Sequence, residues 1–137
     1  MRKRYLFGIG ILLLILAGWG IYKVTQEHRN AAGENAVVTL TAMNLYNEFL
    51  NSENTADKKW VGKVIEVTGS ISSVSESGNY VSINLRATAD GGVNCSILKK
   101  DLNPGDKFNP GDSITIKGKC TGFLMDVNLV DCVIKKH

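Results

Sequence analysis

The chain has 137 residues, of which 44% are hydrophobic and 21% are charged. That length suits one domain of about 100 residues with appendages, and the composition is ordinary for a globular protein. Residues 1–30 carry five cations and one carboxylate, so the net charge of +3 leaves residues 31–137 at −1. Proteins that grip phosphate backbones usually carry a basic stripe. The main part of the chain has none, which argues against nucleic-acid binding.

A basic leader opens the chain. Arg2, Lys3 and Arg4 precede Tyr5–Tyr22, which holds eighteen residues without a charge. A helix of that length spans about 27 Å, close to the hydrocarbon core of a bilayer. Cations at the start of such a helix stay in the cytoplasm. Residues 1–23 are therefore predicted to be a leader and transmembrane anchor in the inner (cytoplasmic) membrane, with the C-terminal domain periplasmic or otherwise extracytoplasmic.

A cleaved signal peptide is the alternative for the same segment. Gly18 and Gly20 place small residues where a signal peptidase would cut, which would release a secreted protein after cleavage near Gly20. Leu16-Ala17-Gly18 is also similar to the start of a lipoprotein signal, but Trp19 stands where the lipidated cysteine would be. Lipid attachment is therefore not expected.

Residues 24–38 are polar and lack apolar periodicity, which indicates a linker. A helix is expected to begin near Thr39 or Thr41, since either hydroxyl can cap it. Its apolar residues recur at spacings of three and four and form one stripe, which is expected to pack on the domain's own core. These residues are Leu40, Met43, Leu45, Tyr46, Phe49 and Leu50. The domain is placed at residues 39–137.

Five strands follow. Lys63–Val74, Tyr80–Ala87 and Val93–Leu98 alternate apolar and polar residues, and Gly111–Ile134 adds two strands joined by a tight turn. Regularly spaced short strands with glycine turns indicate a sandwich or a barrel. The longest connection, Lys99–Gly111, lies between the third and fourth strands, which favours a mainly β chain with a five-stranded OB-fold-like barrel. Gly118 in mid-strand predicts a bend or a close backbone approach.

Three stretches carry a family resemblance. GKVIEVTGSIS, GDSITIKGKCTGFLMDVNLVDCVI and the preceding helix with Ala56 and Trp60 resemble the tRNA-anti-like OB-fold domains of exported bacterial proteins. The resemblance covers residues 39–135, and its most specific part is Cys120–Val127. It implies the OB fold. The family has no assigned activity, and its name does not establish RNA binding.

The loop between the third and fourth strands repeats Asn-Pro-Gly-Asp, at Asn103–Asp106 and Asn109–Asp112. Oxygen-rich loops of this kind suggest Ca²⁺, which takes about 6–8 oxygen ligands. The order differs from the EF-hand pattern, and these four residues are ordinary turn chemistry. Turns are therefore predicted, with no metal and no cofactor.

Three cysteines, Cys95, Cys120 and Cys132, all fall on predicted strands. Export permits a disulfide, and an odd count leaves one thiol over. Cys120–Cys132 is the preferred pair, which would close a loop over the last hairpin. Cys95–Cys132 is the alternative, because the third and fifth strands of an OB barrel pair. Three buried, unpaired side chains are the third possibility.

The sequence contains no recognisable set of catalytic residues. His28 lies in the linker and His137 is the last residue, so the folded part lacks an imidazole base. Asp126 and Asp131 fall on opposite faces of one predicted strand and make a poor carboxylate pair. No Walker, GxSxG or HExxH motif is present. The chain is accordingly predicted not to be an enzyme, with an enzyme of unrecognised type as the remote alternative.

A binding role is therefore expected. OB folds bind ligands on the face of the second and third strands, between the 1–2 and 4–5 loops. The candidate ligand-binding residues here are Tyr80, Ser82, Asn84, Arg86, Phe123, Leu124 and Met125. A protein, a peptide or a glycan would dock there. Phe123–Met125 could instead fold back as a cap on the barrel. Single-stranded nucleic acid is the other ligand class, since OB domains stack bases on aromatic side chains in a positive groove.

Overall fold

A computed structural model of the chain describes residues 8–19 and 31–135. Residues 8–19 form helix α1. The remaining helices are α2 (Ala42–Asn51) and α3 (Glu53–Trp60), and the strands are β1 (Thr39–Thr41), β2 (Val64–Ser77), β3 (Tyr80–Arg86), β4 (Gly92–Leu98), β5 (Ser113–Leu124) and β6 (Asp126–Lys135). Two short 3-10 turns lie at Ala31–Gly33 and Lys99–Asp101.

The described residues give no support for the predicted transmembrane helix. Within residues 8–19 and 31–135, no helix combines the length and the apolar character needed to cross a bilayer. The side chains of α1 are exposed. The rest of Tyr5–Tyr22 lies outside the described residues, as do the basic leader and residues 24–30 of the predicted linker.

The five long strands close into a barrel. Strand order runs β1-β2-β3-β4-β6-β5, and β2 also pairs with β5, which joins the two ends. All neighbours within the barrel are antiparallel except β4 and β6, which run parallel. A sheet closed in this way leaves no edge along most of its length. The predicted OB-like barrel is confirmed, with each long strand in its expected place.

Strand β1 was not predicted. The sequence pattern assigned Thr39–Thr41 to the start of a helix, but these residues pair in parallel with Glu66–Thr68 of β2. The helix begins one residue later at Ala42, and the hydroxyl of Thr41 accepts a hydrogen bond from the Asn44 backbone N–H at 3.2 Å. Of the two predicted caps, Thr41 is therefore the one that the structure uses. A cap residue has an extended backbone, and here that extended backbone is also the last residue of strand β1.

Helix α2 packs its apolar stripe on the barrel. Leu45, Tyr46 and Phe49 are buried, as are Ala56 and Trp60 of α3. Met43 and Leu50, which the stripe also included, are exposed. Apolar side chains of β2–β6 fill the barrel interior. The alternation of apolar and polar residues along these strands predicted that they face inward. The fully buried members include Ile65, Val67, Ile83, Leu85, Val93, Cys95, Ile97, Ile116, Cys120, Val127 and Cys132.

The loop before β5 consists of two similar turns. The Asp106 carboxylate accepts bonds from the Asn103 backbone N–H (3.0 Å) and side-chain amide (3.1 Å). The Asp112 carboxylate does the same for Asn109, at 3.2 and 3.4 Å. The repeated Asn-Pro-Gly-Asp motif therefore forms hydrogen-bonded turns, as predicted. In each turn a single oxygen, Oδ2 of the aspartate, accepts both bonds.

The predicted Cys120–Cys132 disulfide is absent from the structure. All three cysteines are free and buried. Cys120 lies opposite Leu129 on the neighbouring strand, whereas Cys132 falls in a register shift and faces Gly118. The Cys132 thiol instead contacts Cys95. A hydrogen bond between these two thiols, together with burial, raises the pKa of Cys95 well above its ordinary value. Burial likewise raises the pKa of Cys120.

One carboxylate joins α2 to α3. Oε2 of Glu48 accepts a hydrogen bond from Lys59 Nζ at 2.9 Å and from the buried Trp60 Nε1 at 2.7 Å. Partial burial alone would raise the pKa of Glu48, but these two bonds outweigh it and hold the pKa below its ordinary 4.5. Glu48 thereby fixes the helix pair that covers the barrel.

Replacing this carboxylate should destabilise the domain. We expect Glu48→Ala to lower the free energy of unfolding by about 1–2 kcal/mol, because the indole N–H of Trp60 is left unpaired. Since the pKa of Glu48 is lowered in the folded state, its contribution is present above pH 4.5 and is lost as the pH falls through the folded-state value. Urea unfolding of both proteins between neutral and acid pH measures this. Equal pH dependence in the two proteins, or a cost no larger than that of Glu53→Gln, would refute it.

Candidate ligand-binding face

The outer surface of β3 and β4 carries neutral polar side chains in register. Asn84 of β3 lies opposite Asn94 of β4, which lies opposite Asn128 of β6. The three amides thus form one row across three strands. Inward neighbours of these residues are apolar and buried, so the polar side chains face outward by strand alternation.

A second row runs parallel to the first. Ser75 of β2 lies opposite Ser82 of β3, which lies opposite Ser96 of β4. Tyr80 lies two residues before Ser82 on β3, so it is on the same face of the strand, and its side chain is 45% exposed. Arg86 is exposed at the other end of the strand. We call this surface the polar face, and it comprises Ser75, Tyr80, Ser82, Asn84, Arg86, Asn94, Ser96 and Asn128.

Asp126 organises one end of the polar face. Its carboxylate accepts a hydrogen bond from Asn84 Nδ2 at 3.1 Å and from the Gly92 backbone N–H at 2.7 Å. Its carbonyl oxygen accepts a third bond from Asn128 Nδ2 at 3.1 Å. These bonds join the turn after β5 to β3 and β4. They also fix the orientation of two of the three row amides.

A cavity of about 440 Å³ opens beside this aspartate. Its polar lining includes Ser72, Asn84, Arg86, Thr88, Asp90 and Asp126. Within residues 8–19 and 31–135, the Arg86 guanidinium forms no hydrogen bond or ion pair with another side chain. The cavity therefore combines a cation, carboxylates, hydroxyls and an amide. These groups can donate hydrogen bonds to, and accept hydrogen bonds from, a ligand rich in hydroxyl groups.

The polar face has little net charge. Lys99, near the Tyr80 end, is paired with Glu76 at 2.8 Å. Arg86 is accompanied in its cavity by Asp90 and Asp126. The basic stripe that would hold a phosphate backbone is therefore missing from this face.

The predicted site residues divide into two groups. Tyr80, Ser82, Asn84 and Arg86 lie on the polar face, where the strand alternation placed them. Phe123 does not. Its ring lies 5.7 Å from that of Tyr46 in an edge contact and is stacked 5.8 Å from that of Phe49. The alternative hypothesis placed Phe123–Met125 as a cap on the barrel, and of these three residues Phe123 alone packs on the core.

Leu124 and Met125 are 82% and 86% exposed at the tip of the β5–β6 turn. They project from that turn and do not line the 440 Å³ cavity.

Sequence reasoning missed half of the polar face. Asn94, Ser96 and Asn128 have outward parity on the third and fifth strands, and this signal was available from the same alternation. Asp126 was considered only as a catalytic partner of Asp131. Its bond to Asn84 spans 42 positions in sequence, so only the barrel register reveals it.

The comparisons with known proteins agree with the fold. A family model described as tRNA_anti-like matches residues 1–134. A crystal structure from Klebsiella pneumoniae subsp. pneumoniae, described as a "putative nucleic acid-binding lipoprotein", superposes with a TM-score of 0.60 at 19% identity. The superposition covers 72% of this chain and 91% of the Klebsiella chain. At that identity the similarity concerns the fold. No curated protein sequence matches the chain.

Two further solved structures share less of the chain. The S. pombe Stn1–Ten1 complex aligns at 15% identity with a TM-score of 0.41, over 54% of this chain and 59% of the other. An OBody bound to hen egg-white lysozyme aligns at 14% identity with a TM-score of 0.38, over 56% and 84% respectively.

Proposed function

The chain belongs to the tRNA_anti-like family, and from that premise we propose that it is a non-catalytic binding module whose polar face holds an uncharged glycan. The observation that carries this proposal is the pair of in-register rows, three serines and three asparagines, on a face with little net charge. Hydroxyl and amide groups both donate and accept hydrogen bonds, which matches the hydroxyl groups of a sugar chain.

Tyr80 supports the same ligand class. It is the exposed aromatic residue of the face, and a tyrosine ring combines a large apolar surface with a polar tip. An apolar sugar-ring face packs on such a surface, while the neighbouring serines and asparagines bond its hydroxyl groups. A face whose polar groups are already oriented loses less entropy when the ligand binds. Asp126 supplies that orientation at the other end.

We place the module outside the cytoplasm, held by the N-terminal segment. The support is the order of charges and apolar residues, with three cations before an uncharged stretch of eighteen residues. The Klebsiella structure is named a lipoprotein, which is an exported class. Retention of the N-terminal segment in the purified protein, measured by intact mass, supports an anchor, and its removal near Gly20 supports secretion.

The glycan proposal is tested with variants of the full-length chain. A panel of uncharged oligosaccharides is titrated while amide chemical shifts are recorded. We expect shifts confined to β3, β4 and the start of β6, and we expect Tyr80→Ala to weaken binding at least about tenfold, or about 1.4 kcal/mol. Val37→Ala is the matched control, because Val37 is an exposed apolar residue away from the face. If Tyr80→Ala binds as tightly as the control, the polar face is not the site.

Single-stranded nucleic acid is the second candidate. It is favoured by the name of the Klebsiella structure and by Tyr80 and Arg86, which offer a stacking ring and a cation on one strand. Against it stands the low charge of the face, because phosphate contacts supply most of the affinity of such proteins.

A further inference from the structure

A second groove lies between α3 and the β5–β6 hairpin, away from the 440 Å³ cavity. Its volume is about 780 Å³. Glu53, Asp57 and Lys58 of α3 form one wall, and Phe123 and Leu124 of β5 form the other, with Asn128 at its junction with the polar face. Apart from Asn128, no residue of the polar face lines this groove.

Strand β5 has an open edge here. It pairs with β2 from Ser113 to Lys119, and the last backbone bonds on that side join Cys120 to Gly62 at 2.8 Å and to Lys63 at 3.0 Å. Beyond this point Gly122, Phe123 and Leu124 pair with β6 alone. In the part of the chain that is described, no strand covers their other side. An exposed edge of this kind is a template for an added strand.

The tip of the hairpin displays two apolar side chains beside this edge. Leu124 is 82% exposed and Met125 is 86% exposed. Met125 has a φ of 64°, in the left-handed region where glycine or asparagine is usual. A methionine there is strained, and strained residues concentrate at binding and switch sites. The exposure of Leu124 and Met125 leaves both side chains accessible to a partner.

The wall of the groove formed by α3 carries a net negative charge. Glu53 and Asp57 are four positions apart, so they lie on the same face of α3. With Lys58 also in the lining, two carboxylates face one ammonium group, and the wall is net negative. An anionic bilayer surface would be repelled by these carboxylates, whereas a cationic peptide would be attracted.

We propose that this groove is a docking site for an extended peptide segment of a partner protein, one that alternates apolar and cationic side chains. The segment adds as a strand to the open edge of Gly122–Leu124. Its apolar side chains pack on Leu124 and Met125, and its cations face Glu53 and Asp57. Main-chain hydrogen bonds supply affinity and the two carboxylates supply selectivity, as in other strand-addition sites.

The test uses a random peptide library displayed on phage and selected against the full-length chain. We expect the enriched peptides to alternate apolar residues with lysine or arginine. One enriched peptide is then synthesised and titrated by calorimetry. Its affinity should fall about tenfold or more on Glu53→Gln with Asp57→Asn, and on Leu124→Ser with Met125→Gly. It should be unchanged by Asp101→Asn, a control carboxylate outside the groove.

A second arm examines the backbone pairing. The same peptide with N-methyl groups on alternate residues should lose binding, since it can no longer donate to the strand edge. Arg86→Ala, on the polar face, should leave the peptide's affinity unchanged, so the two sites fail or succeed separately. The proposal is overturned if no peptide is enriched, if N-methylation has no effect, or if the apolar tip binds phosphatidylglycerol vesicles in place of peptide.

Discussion

Gly118→Ala is expected to destabilise the domain by about 3 kcal/mol or more, because the added methyl group overpacks the barrel interior. Gly118 lies in the middle of β5, where the register with β6 shifts. A Cβ at this position would overlap the Sγ of Cys132 and lie 3.2 Å from the Cβ of Leu129. Both neighbours are buried in the barrel, and overpacking a dense core typically costs 1–3 kcal/mol and sometimes more. Urea unfolding at neutral pH measures the loss.

Two further variants identify the cause. Cys132→Ala removes the overlapping sulfur, so the double variant should recover at least about 1 kcal/mol relative to the sum of the two single effects. Gly33→Ala is the control, since a Cβ there meets nothing within 4 Å, and it should stay within about 0.5 kcal/mol of the parent. Additive costs for Gly118→Ala and Cys132→Ala would show that the contact with Cys132 is not the reason for this glycine.

Phe123→Ala is expected to cost about 3 kcal/mol of stability, because the ring packs between Tyr46 and Phe49 at the end of the barrel. Its neighbour Leu124 provides the comparison, as it is 82% exposed. Leu124→Ala should change the free energy of unfolding by less than about 0.5 kcal/mol. Thermal unfolding of the three proteins in parallel measures the difference.

The reverse order of effects would contradict the structure. If Phe123→Ala leaves the melting temperature unchanged while ligand or peptide binding is lost, the ring is a contact residue and the cap on the barrel is made by other groups. If Leu124→Ala destabilises as much as Phe123→Ala, the tip of the hairpin is packed and cannot serve as an exposed docking element.

Local sequence patterns were sufficient to predict most of the strands of the barrel. The five long strands follow from the alternation of residues such as Val81, Ile83 and Leu85, because a half-buried strand must separate apolar from polar side chains. The long turn-rich connection before β5 selected the OB order among the possible barrels. The glycine at position 118 predicts a bend or a close backbone approach, and the nearest neighbour in the structure is the side-chain sulfur of Cys132.

Features that depend on register were not predictable. The asparagine row requires that Asn84, Asn94 and Asn128 stand opposite one another, which depends on how three strands are aligned. The choice between the two cysteine pairs also depends on register: Cys120 lies opposite Leu129, whereas Cys132 lies in a register shift and contacts Cys95, its partner in the alternative pair, with both thiols free. Strand β1 is only three residues long and is stabilised by its pairing with β2, so no local periodicity marks it.

The most direct test of the account is the salt dependence of binding by the full-length chain, measured for uncharged oligosaccharides and for single-stranded oligonucleotides. A face of serines, asparagines, one tyrosine and one arginine, with little net charge, predicts oligosaccharide binding that is nearly unchanged between about 50 and about 200 mM salt, with much weaker oligonucleotide binding. Tight oligonucleotide binding that falls steeply over that range, with no oligosaccharide bound, would show that the polar face grips a phosphate backbone and that the glycan assignment is wrong.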